Sequence, residues 1–86
     1  MSTIKQISLI EPQMAIFVIK KLLHQVDDQA IMKIARARTT LSLKQIGSIW
    51  GKDHSTVIHG LRRAADSYDT NDEIYLDWES EVYRYF

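Results

Sequence analysis

The sequence predicts an all-α fold: a small helical bundle built around a helix-turn-helix. Apolar residues recur at helical spacing from Met14 to Val82, the pattern of helices with one buried face. Residues suited to helix starts and stops alternate along the chain, from Pro12 to Asp72. With Gly 3 and Pro 1 in 86 residues there is no material for a flexible linker, and no internal repeat interrupts the pattern. The whole of 1–86 is therefore expected to form one helical domain.

Taken in order, Pro12 suits the first turn of a helix, where its missing N–H costs nothing. The run Met14, Ala15, Ile16, Phe17, Val18, Ile19, Leu22, Leu23 and Val26 is apolar on nearly all sides. That predicts a buried central helix over about 12–26, with Met14 as core filling. Its β-branched content would also allow a strand start, but the continuation through Leu22, Leu23 and Val26 keeps helical spacing. Asp27 and Asp28 are suited to cap a second helix, with Ile31, Ile34 and Ala35 inward and Lys33 and Arg36 outward. Met32 is read as core, and Thr39-Thr40 ends this helix.

Ser42-Leu43-Lys44-Gln45 is a capping-box sequence. It predicts a short helix with Leu43, Ile46, Ile49 and Trp50 inward, closed by Gly51 in the left-handed conformation. Asp53 caps the next helix, which can run to about Asp66 or Ser67. The remainder reads as a turn and a last amphipathic helix that covers the core with Ile74, Leu76, Trp78 and Val82. The expected core of the helix-turn-helix spans about 29–67, and an acidic, aromatic segment follows over about 69–86.

Composition narrows the function classes. Cys 0 excludes disulfides, thiolate metal sites and cysteine nucleophiles. The apolar run from Met14 to Ile19 is far shorter than a membrane span, and no signal-peptide pattern precedes it. A cytoplasmic protein with no membrane partner is expected. The formal net charge of +0 hides a polarity: residues 1–65 carry ten bases and four acids, residues 66–86 one base and seven acids. From Lys33 to Arg63, Asp53 is the one acid among seven bases. Two readings follow, a surface for a polyanion or a solvated basic face balanced by an acidic tail.

Two short helices joined by a tight Gly-containing turn make a helix-turn-helix, whose second helix enters the DNA major groove. At roughly 100° per residue, Val57, Ile58, Leu61, Ala64, Ala65 and Tyr68 fall on one arc of that helix. Ser55, Thr56, His59, Arg62 and Arg63 fall on the other. Short hydroxyls near the helix start suit base edges, and the arginines near its end suit phosphates. Gly60 lies on the border, where a missing side chain would let a backbone approach. A generic helical bundle with a basic face remains the alternative at this point.

The stretches Ser42-Leu43-Lys44-Gln45-Ile46-Gly47 and Lys52-Asp53-His54-Ser55-Thr56-Val57-Ile58-His59 closely resemble the C-terminal DNA-binding domain of the bacterial replication initiator DnaA. The resemblance extends upstream through Gln29, Ala35-Arg36 and Thr39-Thr40-Leu41, covering about 29–63. It implies a Trp-repressor-like fold and binding to the initiator's box sequences in double-stranded DNA. Carried over by position, Asp53, His54, Ser55 and Thr56 match major-groove base contacts, and Gln29, Arg36 and His59 match backbone contacts. Lys52 stands where the family has arginine, and Arg62 and Arg63 complete the expected phosphate anchors. Three positions depart from the pattern: the loop after Gly51 is one residue shorter, Trp50 replaces phenylalanine, and Asp28 stands in place of a minor-groove arginine.

Full-length DnaA carries an ATPase module, and this chain has no Gly-x4-Gly-Lys-[Ser/Thr]. The reading is a free-standing, nucleoid-associated DNA-binding domain unable to melt an origin alone, acting in the control of replication initiation or transcription. No cofactor and no metal are expected: His54 and His59 are five apart and share no helix face, and His24 is remote. No enzyme is expected either, since Asp53-His54-Ser55 has triad residue types only as diverging neighbours. The acidic segment is expected to cover the core, or to moderate DNA binding, or to dock the initiator or another protein. The alternative function is a protein-interaction module that keeps the fold and binds DNA weakly or without sequence preference.

Overall fold

A computed structural model describes residues 10–86. The first nine residues of the expected 1–86 domain, Lys5 among them, lie outside the described residues. The fold is all-α, and the described residues form five helices in order: α1 (Pro12–Leu22), α2 (Asp28–Arg38), α3 (Leu43–Ile49), α4 (His54–Asp69) and α5 (Glu73–Tyr83). Among the described residues one isolated bridge joins Ile10 and Thr39, and the Ile10 N–H donates to the Arg38 carbonyl at 3.1 Å.

The centre of the molecule is α2 and not α1. Ala30, Ile31, Met32, Ile34 and Ala35 of α2 are all buried, and the helix packs against α1, α3, α4 and α5. The expected central helix over 12–26 is shorter and peripheral: α1 ends at Leu22 and buries only Ala15, Ile19 and Leu22. Those three lie at i, i+4 and i+7, one stripe of the helix. Met14 and Phe17 point outward, 53% and 58% exposed, so Met14 is not core. An all-apolar run is consistent with burial on every side, but among the described residues α1 packs mainly against one helix, α2.

Local hydrogen bonds fix the C-terminal end of α2 and the starts of α3, α4 and α5, whereas the Asp27 side chain at the start of α2 makes no capping hydrogen bond. The Thr39 hydroxyl donates to the Ala35 carbonyl at 2.6 Å and accepts from the Leu41 N–H at 3.1 Å. A buried polar side chain is thereby satisfied where α2 stops, and the chain turns so that Leu41 enters the core. Truncating that fully buried leucine to alanine would cost about 2–5 kcal/mol. The capping box at the start of α3 forms in both directions: the Gln45 N–H donates to Ser42 Oγ, and the Ser42 N–H to Gln45 Oε1.

The turn between α3 and α4 depends on two glycines for different reasons. Gly51 has φ +70°, and a Cβ there would meet open space. Gly47 is buried in α3, where a Cβ would lie 2.8 Å from the Lys52 and Asp53 carbonyl oxygens. The first glycine supplies the left-handed residue that stops α3; the second lets the chain entering α4 cross directly over α3. The Lys52 N–H donates to the Gly47 carbonyl at 2.9 Å and closes the turn.

α4 runs a little past the expected end, to Asp69. The Thr70 hydroxyl donates to the Asp66 carbonyl, and Asn71 then takes a positive φ of 56°. Asp72 caps α5 by accepting from the Tyr75 N–H at 3.1 Å. α5 packs against α2 and α4: of the residues expected inward, Val82 is buried and Leu76 and Trp78 are half-buried against the core, and Tyr75 and Glu79 are buried beside them. Ile74, expected inward, is 70% exposed. Burial pushes the Tyr75 phenol far above its ordinary range, with the neighbouring Glu79 carboxylate adding to the effect.

Candidate nucleic-acid interface

α4 presents its two faces through the packing of α2 and α3 behind it. Val57, Gly60 and Ala64 are buried, Leu61 is half-buried against the core, and Ile58 is half-buried. The apolar arc ends earlier than expected: Ala65 is exposed, and Tyr68 lies beneath the Lys33 ammonium, 4.0 Å from ring centroid to Nζ. Gly60 does admit a close neighbour, but a side chain, not a backbone: a Cβ at Gly60 would lie 2.6 Å from Met32 Sδ. Met32 is 4% exposed and packs onto α4 at Gly60.

Lys52, Asp53, His54, Ser55 and Thr56 are all exposed at the start of α4. Asp53 is the N-cap: its Oδ1 accepts from the Ser55 N–H at 3.2 Å, the Thr56 N–H at 3.4 Å and the Ser55 hydroxyl at 2.7 Å. The Ser55 hydroxyl, and after it the Thr56 N–H, hold the Asp53 carboxyl below the usual carboxylate range. The Ser55 proton is thus directed at Asp53, leaving the hydroxyl oxygen to accept from outside. His54 and Thr56 side chains make no hydrogen bond within the described residues.

Residues 28 to 63 come together across a groove of ≈ 330 Å³. Asp28, Gln29 and Met32 of α2 line one wall, and Thr56, His59, Gly60 and Arg63 of α4 the other. Four of the expected contact residues, Gln29, Thr56, His59 and Arg63, therefore share one concave surface, with Asp28 beside them. Arg36 lies two turns along α2 from Gln29, on the same side of the helix, and is exposed. Arg62 is exposed next to Arg63, whereas Lys52 and His54 stand at the turn, away from this groove.

The seven bases between Lys33 and Arg63 divide into two groups. Lys33 Nζ is 2.7 Å from Glu79 Oε2, and the Arg38 guanidinium donates to the Phe86 carbonyl at 3.2 Å, 6.0 Å from the Tyr83 ring. Both are held by the C-terminal segment. Arg36, Lys44, Lys52, Arg62 and Arg63 are exposed and take part in no ion pair among the described residues. Charge counting along the sequence missed this division. Glu79 was recognisable in part, because Tyr75, Glu79, Val82 and Phe86 recur at i, i+4, i+7 and i+11.

No group of three or more His, Asp or Glu side chains able to hold a metal occurs among the described residues, and no helix there is long and apolar enough to cross a membrane. Curated relatives are chromosomal replication initiator proteins DnaA. The protein from Neisseria meningitidis serogroup C is 42% identical over 52 residues, covering 59% of this chain and 10% of the relative. That from Bifidobacterium animalis subsp. lactis is 42% identical over 48 residues, 55% of this chain and 8% of the relative. The chain thus spans about a tenth of the length of these relatives. No solved structure matches it. Residues 24–64, from before α2 into α4, match the model of the bacterial DnaA protein helix-turn-helix, and across that stretch the chain is similar to the C-terminal helix-turn-helix of DnaA.

Proposed function

We propose that this chain binds double-stranded DNA sequence-specifically through α3 and α4, and acts in the control of replication initiation or transcription. The observation that carries the proposal is the exposed start of α4 together with five cations that take part in no ion pair among the described residues, on a helix-turn-helix like that of DnaA. Asp53, His54, Ser55 and Thr56 are assigned to base edges. An Asp53 oxygen and the Ser55 oxygen are acceptors for base amino groups, and the Thr56 methyl suits the thymine methyl. Gln29, Arg36, Lys52, His59, Arg62 and Arg63 are assigned to phosphates. The activity is binding and not catalysis, and the other partner proposed is the initiator or another protein through α5.

Fluorescence anisotropy with a DnaA-box duplex and a scrambled duplex, each at two salt concentrations, tests the reading. Tighter binding to the box, weakening as salt rises, is the expected result. Salt-dependent binding to both duplexes alike would refute sequence reading. No binding to either would leave the protein-interaction module as the better account.

A further inference from the structure

We infer that Asp28 is a specificity-determining residue of the DNA surface: its carboxylate accepts from an exocyclic base amino group and rejects duplexes that offer it only phosphate. The inference rests on the DNA-binding reading above and deepens it. Asp28 is the one acid among the residues lining the groove between α2 and α4, where Gln29, Thr56, His59 and Arg63 are its polar companions. Each of those four can donate a hydrogen bond to a phosphate oxygen. A carboxylate is acceptor-only when ionised, so against phosphate it has nothing to offer and adds repulsion.

The Asp28 carboxylate is also uncommitted. It is exposed, and among the described residues no base lies within ion-pair distance and no hydrogen bond engages it. It is not the α2 cap either: Asp27 holds that position, and Asp28 is the first residue of the helix proper. An acid there gains modestly from the helix dipole, a structural role that any duplex would leave untouched. Its position beside Gln29, across the groove from Thr56 and His59, adds a consequence that does depend on the duplex. DNA seated on His59 and Arg63 brings its backbone or a base edge to Asp28. A base amino group there forms a charge-assisted hydrogen bond, whereas phosphate there lowers affinity. Discrimination arises from the repulsive contact as well as the attractive one.

Binding-site selection from a random duplex pool, followed by anisotropy on the selected site and a scrambled duplex, tests this with Asp28→Asn and Asp28→Glu. Wild type is expected to select a motif containing a base pair that Asp28→Asn no longer selects. Asp28→Asn should bind scrambled DNA roughly 3- to 10-fold tighter and narrow the site-to-scrambled ratio by roughly 10-fold. Asp28→Glu, which keeps the carboxylate, should reject scrambled DNA as wild type does. An identical motif and ratio for wild type and Asp28→Asn would overturn the inference and leave Asp28 as a helix-terminus charge. A wild type that selects no motif would overturn the sequence-reading proposal with it. Thermal unfolding of the three proteins separates a loss of fold from a change in selection.

Discussion

α4 and α5 pack against the same helix, α2, yet they treat charge in opposite ways. On the α4 side Arg36, Lys52, Arg62 and Arg63 are exposed without an ion pair among the described residues. On the α5 side Lys33 is held by Glu79 and Arg38 by the Phe86 carbonyl. The difference teaches that a run of bases in a sequence is not yet a phosphate-binding surface. A cation becomes one only if the fold leaves it water to exchange for phosphate, and α5 and the residues after it remove two of seven from that role.

The largest expected effect tests this division directly. Arg62→Ala with Arg63→Ala should weaken DNA binding by roughly 10- to 100-fold at moderate salt, equally for box and scrambled duplexes. The slope of log affinity against log salt should flatten by about 2. Lys33→Ala with Arg38→Ala should leave affinity within about threefold of wild type, while lowering the melting temperature. Equal losses of affinity from both pairs would erase the contrast between the two sides.

Next in size is the turn that presents α4. Gly47→Ala forces a Cβ against two carbonyl oxygens at 2.8 Å, both backbone and unable to rotate away. Urea unfolding should show a loss of about 2–3 kcal/mol. Gly51→Ala meets only its own φ of +70° and open space, so about 1–2 kcal/mol is expected. The reverse order would mean that the turn relaxes around Gly47.

Glu79→Gln sharpens the α5 side. Lys33 would then lack its anion in a setting that is only 31% exposed at the side chain, and a loss of about 1–2 kcal/mol of stability is expected. The salt slope of DNA binding should not change. A slope steeper by about 1 would mean that Glu79 competes with phosphate for Lys33, making α5 a brake on binding and not only a support.

The helix-turn-helix was legible because its signals are local. Ser42 with Gln45, Gly51 and Asp53 each act within three residues, and the sequence alone specifies what they cap or stop. The family signature over the same stretch supplied the assignment to DNA. What could not be read was decided by partners far along the chain. The all-apolar faces of α1 predict a central helix, but the face that is buried is the one α2 reaches. Seven acids after residue 65 look alike in sequence, and only docking on α2 singles out Glu79, 46 residues from Lys33. Met14 and Ile74 are exposed for the same reason: a large apolar residue marks a possible core position, and packing chooses among them.

The smallest effect compares the caps of α2 and α4, the same residue type with opposite shifts. Part burial, and then the adjacent Asp28 charge, push the Asp27 carboxyl above its ordinary range, whereas hydrogen bonds from Ser55 and Thr56 hold Asp53 below it. Ionised Asp27 is therefore less comfortable in the folded chain than in the unfolded one. Its unfavourable contribution is present at neutral pH and vanishes as pH falls through its raised folded value. Asp53 does the reverse: its contribution is stabilising above the ordinary carboxylate range, about pH 4, and is lost as pH falls through its lowered folded value. At pH 7, Asp27→Asn should raise stability by on the order of 0.5 kcal/mol after solvent screening. Asp53→Asn, which still caps but carries no charge, should lower it slightly. Both differences from wild type should close in acid, the Asp27 difference first as pH falls. Melting temperatures at pH 7, 5 and 3 read this out, and variants that shift in the same direction at pH 7 would show that the two caps are not the opposites their surroundings make them.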